Sequence, residues 1–284
     1  MNIKHVSRRA LTLATLVGTL AACSGKKEET AEGDLNDSLR ADTTAAAAEP
    51  SAQDRFVESL PSPTHLARIF NRSGLKFVEG ITSSPANADK YQSATSKALN
   101  LGVYTADLAY STFNNQSQQA LNYFKAVRTL GEGLQMSSIF ESSNLVPRVE
   151  KNLGNKDSLI SLMSSLSMDS DFLLKESNRI DVIYLSVAGG FVESLYLATS
   201  LITQNNNLEV YNKILDQQNT INKLISVLED FKSEGDFTST ITGLKSIENK
   251  LAKRKNSEAG IQSKDFDELS KEVKSFRDQI IKGV

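Results

Sequence analysis

Along much of the chain, apolar residues return every three or four positions. Leu121, Phe124, Val127, Leu130 and Leu134 follow that step, as do Leu159, Leu162 and Leu166 with Leu173 one missed step later. Ile221, Leu224, Leu228 and Phe231 repeat it, and so do Phe266, Leu269, Val273, Phe276 and Ile280. Spacing near 3.6 gives each segment one apolar stripe, the mark of a helix with one buried face. No comparable run of strict alternation occurs, so no strands are predicted. The pattern predicts eight or nine helices, over 63–80, 88–112, 116–134, 145–153, 156–177, 179–204, 207–233, 237–254 and 263–282. The expected fold class is all-α, a multi-helix bundle.

The punctuation agrees with this pattern. Five prolines occur and none follows Pro147, which permits long uninterrupted helices. Pro147 should end one helix or lie in the first turn of the next. Ser62-Pro63 places a capping hydroxyl before a first-turn proline, and Ser138 with Glu141 has capping-box spacing. The three helices after residue 206 are the most polar, which suggests that 206–284 forms a coiled-coil-like hairpin or C-terminal appendage. Leu101-Gly102, Tyr104 and the run from Ala120 to Phe124 resemble one tetratricopeptide unit, without a second copy at the period of about 34 residues. A short tetratricopeptide-like α-solenoid is therefore the alternative architecture.

The first thirty residues have a different character. Lys4, Arg8 and Arg9 precede an apolar run over 10–20, and small residues follow, the order of an export signal. The run is shorter than the roughly 20 residues a membrane-spanning helix needs. Leu20-Ala21-Ala22-Cys23 resembles the lipobox of bacterial lipoproteins. That resemblance implies cleavage before Cys23 and lipidation of its sulfur, a membrane anchor that two or three acyl chains make effectively permanent. Residues 1–22 would then be the signal peptide. Residues 23–53, rich in Lys, Glu, Asp, Thr and Ala with almost no large apolar side chain, form an expected disordered tether spanning roughly 30 Å. Residues 54–284 remain for the helical domain.

The residue after Cys23 is Ser rather than Asp, which resembles lipoproteins sorted to the outer membrane. Lys26-Lys27-Glu28-Glu29 resembles the surface-export signal of Bacteroidota lipoproteins, although a solvated linker accounts for the same charges. Leu60-Pro61-Ser62-Pro63, Ser73-Gly74-Leu75-Lys76, the run from Lys97 to Tyr104, Ala106-Asp107-Leu108 and the run from Val192 to Tyr196 are similar to a group of helical Bacteroidota lipoproteins. That resemblance implies an address at the outer membrane, facing the periplasm or the cell surface, and implies no chemistry.

Composition removes several function classes. Without the signal, 29 basic residues stand against 34 acidic, a charge of about −5, unsuited to nonspecific nucleic-acid binding. Cys23 is the single cysteine, so lipidation would leave no thiol for a disulfide. His5 leaves with the signal and only His65 remains, too few histidines for a multi-histidine metal site. No phosphate-cradling glycine loop occurs, and no cofactor is expected.

Two apolar helices carry an acid beside tyrosine. Asp107 lies three residues from Tyr104 and from Tyr110, and Glu193 three before Tyr196, each on one helical face. Buried carboxylates need partners, and the tyrosine hydroxyls, Arg128 and Arg179 are the candidates. Asp107, Glu193, Tyr104 and Tyr196 form a candidate ligand or cation site, with a structural network as the competing account. Gly189-Gly190 within the most apolar helix suggests a close approach by another backbone or a ligand. Asp169 and Asp171, two apart, should not share a face. Gln217-Gln218-Asn219 reads as an exposed face. The expected function is noncatalytic binding or scaffolding at a membrane, with the membrane itself and another envelope protein as partners. A receptor or enzyme using Asp107 and Glu193 is the alternative.

Overall fold

The computed structural model describes residues 76–283 apart from 143, 203–206, 232–236 and 256–263, together with Arg68 and Arg72. Cys23, the 23–53 tether and His65 lie outside the described residues, as does most of the segment read as helix 63–80. A short 3-10 helix, Pro85–Lys90, precedes ten α-helices among the described residues. These are α1 Ala94–Phe113, α2 Ser117–Gly133, α3 Ser137–Ser142, α4 Leu145–Lys151, α5 Lys156–Glu176 and α6 Ile180–Ile202. They continue with α7 Leu208–Leu215, α8 Gln218–Asp230, α9 Thr238–Lys255 and α10 Lys264–Lys282. No strand occurs among the described residues, and the fold is an all-α multi-helix bundle.

Two helices form the centre. In α1, 16 of 20 residues are buried, and in α6, 17 of 23, so both are apolar nearly all round. Their backbones touch where side chains are absent. A Cβ on Gly102 would stand 1.8 Å from the Ser186 carbonyl oxygen, and one on Gly189 1.9 Å from that of Leu99. The approach expected at Gly189-Gly190 is thus made by α1. The α6 helix is long and apolar enough to cross a membrane by composition, but 78% of its most apolar window is buried within the bundle.

The stripes read from sequence face this core. Leu121, Phe124, Val127, Leu130 and Leu134 are buried, as are Phe266, Leu269, Val273, Phe276 and Ile280. The α2 helix packs on α1, α5 rests on α1 and α6, and α8, α9 and α10 pack in succession. The α10 helix also packs against α6 and α1, so the 206–284 segment joins the bundle rather than standing off it. Contacts between helices this distant in sequence are those of a bundle and not of a solenoid, whose repeats touch only their neighbours.

Several boundaries differ from the sequence reading, each for a local reason. Residues 76–80 are extended or turn instead of helical, and α1 starts at Ala94 rather than 88 because the Ser93 side chain accepts from the Ser96 N–H at 3.0 Å. The expected 207–233 helix is two, α7 and α8, broken at Asp216 and Gln217. Gln217 and Gln218 are buried there, Gln217 donating to the Lys213 carbonyl and Gln218 to Glu248 Oε1 at 2.6 Å; only Asn219 of that run is exposed. The short α3 was not predicted, and Ser138 lies inside it rather than before it.

Candidate functional site

The α1–α6 crossing brings both acids inward. Asp107 and Glu193 are each 0% exposed. Glu193 meets the guanidinium of Arg277 from α10 in a two-pronged bond: Nε donates to Oε2 at 2.8 Å and NH2 to Oε1 at 3.1 Å. This planar fork suits a carboxylate that must leave water. The NH2 group also donates to Ser83 Oγ at 2.8 Å, and the guanidinium carbon lies 4.4 Å from the centre of the Tyr196 ring. Arg277 is itself only 6% exposed. Although burial works against its charge, Glu193 holds it more firmly protonated than an ordinary arginine.

Asp107 occupies the other side of the cluster. Its Oδ2 accepts the Ser83 backbone N–H at 3.1 Å, while Oδ1 meets no protein donor. The Glu193 carboxyl neighbours that of Asp107 closely enough for its charge to act on it. Both carboxylates ionised beside one guanidinium would leave a net negative charge in the core. Burial, followed by the Glu193 charge, pushes Asp107 well above the usual carboxylate range, outweighing Arg277 and the Ser83 N–H. A protonated Asp107 makes the cluster neutral.

The tyrosines serve the adjoining backbone. Tyr104 donates to the Ser84 carbonyl at 2.8 Å, and Tyr123 bonds Thr82 Oγ1 at 2.6 Å and the Ser83 carbonyl at 2.9 Å. Tyr110 accepts the Val78 N–H at 2.9 Å. Residues 76–84 have no ladder partner, so these side chains tie their backbone to α1 and α2, and at buried Ser83 they satisfy a carbonyl otherwise shut away from water. Burial raises all three phenol pKa values, which keeps the hydroxyls neutral. Two more groups fix α10: Asn100 donates to the Ile280 carbonyl at 2.9 Å and Tyr91 to that of Ile281 at 3.0 Å. Both carbonyls belong to the last turn of α10, where a helix runs short of i+4 N–H donors; that of Ile280 also accepts the Gly283 N–H at 3.0 Å.

Of the four expected site residues, Glu193 and Tyr196 meet the Arg277 guanidinium, Asp107 joins the cluster through Ser83, and Tyr104 turns its hydroxyl to the Ser84 carbonyl. The partner expected from Arg128 or Arg179 is supplied by neither. Arg128 pairs with Glu132 at the surface, and Arg179 donates to the Leu134 carbonyl. Arg277, Ser83, Tyr91 and Tyr123 were absent from the sequence-derived set. Of these only Arg277 left a signal, a cation four residues after Val273 and three before Ile280 on an apolar stripe. Among the described residues, no three His, Cys, Asp or Glu side chains converge as a metal site would need. Asp169 is exposed and Asp171 half-buried, on different faces of α5.

Fold and cluster together define a helical bundle with a closed, internally neutralised polar centre. No protein-family model, curated protein or solved structure matches the chain.

Proposed function

We propose that this chain is a lipid-anchored protein of the bacterial outer membrane whose helical body binds or scaffolds and does not catalyse. The commitment of the buried cluster carries the noncatalytic part. Both Glu193 oxygens face Arg277, and Asp107 is held by the Ser83 N–H away from solvent. A general acid or base must reach the proton it moves, and no substrate reaches these groups without displacing α10. A receptor or enzyme built on Asp107 and Glu193 requires that displacement. The address rests on the basic start, the apolar run and Leu20-Ala21-Ala22-Cys23. Metabolic labelling with palmitate followed by membrane fractionation tests it, and Cys23→Ser should lose both label and membrane while keeping its helical signal. A Cys23→Ser protein still in the membrane fraction would overturn the anchor. Protease shaving of intact cells separates surface display, in which the body is lost, from a periplasmic orientation. Crosslinking and copurification of the native lipoprotein then test for an envelope partner.

A further inference from the structure

A second feature lies on the α5 side of the α1–α6 crossing. A cleft of about 120 Å³ opens between α1, α2, α3, α5 and α6. Its walls are mainly apolar, with Leu108, Val127, Phe140 and Leu166 prominent, and Gly102 lies in its lining. Five polar residues interrupt this surface: Thr105 and Ser170, whose hydroxyls donate to the Leu101 and Leu166 carbonyls of their own helices, Ser167, and the two that matter most here, Ser186 and Asp171. Ser186, from α6, has its hydroxyl buried without a protein hydrogen-bond partner. Asp171, from α5, is half-buried, and withdrawal from water raises its pKa to about 6 against the pull of Lys175 one turn away. Neither residue belongs to the Arg277 cluster.

We infer that this cleft is a binding site for a small amphipathic cation, an apolar body carrying a protonated amine that meets Asp171. The inference rests on reading the body as a binding protein. The size follows from the space: at about 10–15 Å³ of such volume per water-sized group, the cleft holds roughly ten non-hydrogen atoms. The apolar walls favour an alkyl or aryl body, as they do in most ligand pockets. The sign of the head group follows from Asp171. A carboxylate partly removed from water interacts more strongly with a nearby charge than one in bulk solvent, so an ammonium gains there and a second carboxylate is repelled. Fatty acids of matching length are therefore discriminated against by charge while sharing the same apolar contacts.

The test uses the full chain carrying Cys23→Ser, so that no detergent competes for the cleft, with octylamine and octanoate as probes of nearly equal size. Calorimetric titration near neutral pH should show octylamine binding at least tenfold more tightly than octanoate. Asp171→Asn should reduce that preference to within about twofold while leaving helical content and melting temperature close to the parent, since Asp171 is not in the core. Equal affinity for the two probes, binding of neither, or a preference that survives Asp171→Asn in the folded variant would each overturn the site. Recovery of chemically altered octylamine would instead overturn the noncatalytic reading and leave the site standing. Absence of binding would leave the membrane address untouched.

Discussion

Protonated Asp107 gives the protein a stability that falls as pH rises. The carboxyl is wholly buried, and its pKa lies well above the ordinary 3.8, first because of burial and then because of Glu193. Above about pH 4 the unfolded chain loses this proton while the folded chain keeps it, so the native state binds one proton more. Stability contributed by a raised pKa is fully present below the unfolded value and is lost as pH rises toward the folded one. The slope for one proton is about 1.4 kcal/mol per pH unit, and it lasts for as long as folded Asp107 keeps the proton that the unfolded chain has lost. Other titrating groups add slopes of their own, so the useful quantity is the difference from Asp107→Asn at each pH. The amide keeps the shape, accepts the Ser83 N–H and donates toward Glu193, but cannot ionise. Urea unfolding followed by far-ultraviolet circular dichroism should show Asp107→Asn gaining on the parent from about pH 5 upward, by up to about 1.4 kcal/mol per pH unit. A difference that does not change with pH would mean that Asp107 ionises alike in both states, and would refute the neutral-cluster argument.

Two further predictions test the same core. Arg277→Met should destabilise by about 3–5 kcal/mol because Glu193 is left buried without its cation, whereas Glu193→Leu combined with Arg277→Met should recover much of that loss. A double-mutant cycle measured by urea unfolding checks this, and additive losses would count against the pair. Gly102→Ala should cost about 3 kcal/mol or prevent folding, since the new methyl would collide with the Ser186 carbonyl and the Gly190 nitrogen, which belong to rigid backbone. Gly154→Ala, with nothing within 4 Å, is the matched control, and equal melting temperatures for the two variants would contradict the described crossing.

The sequence made the amphipathic helices plain because their information is local: one stripe every 3.6 residues, as in α2 and α10. The central pair was harder to assemble. Gly189-Gly190 announced a close approach, but its partner strip around Leu99 and Gly102 lies about ninety residues earlier, and no local pattern links them. The acids behaved similarly. Asp107 and Glu193 are recognisable as buried groups in need of a partner, yet nearness in the chain points to Arg128 and Arg179, while Arg277 stands on an apolar stripe 84 residues from Glu193. The tyrosines looked like pocket lining because 63–80 was read as helix. Once residues 76–80 prove non-helical, the hydroxyls have backbone groups to satisfy. Gln217 and Gln218 looked solvent-exposed because polarity alone does not reveal the buried bonds that Lys213 and Glu248 offer them. The cleft beside Asp171 arises from five helices meeting, and no single segment encodes it.

The reach from Glu193 to Arg277 also orders events in the life of the chain. Synthesis produces α6 with its glutamate 84 residues before the arginine that pairs with it, so this ion pair forms only once α10 has been made. A polypeptide cut short before Arg277 would retain an uncompensated charge in its most apolar helix and remain open to proteases. If the chain is exported as the basic start and apolar run suggest, that delay favours passage through a translocation channel in the unfolded state.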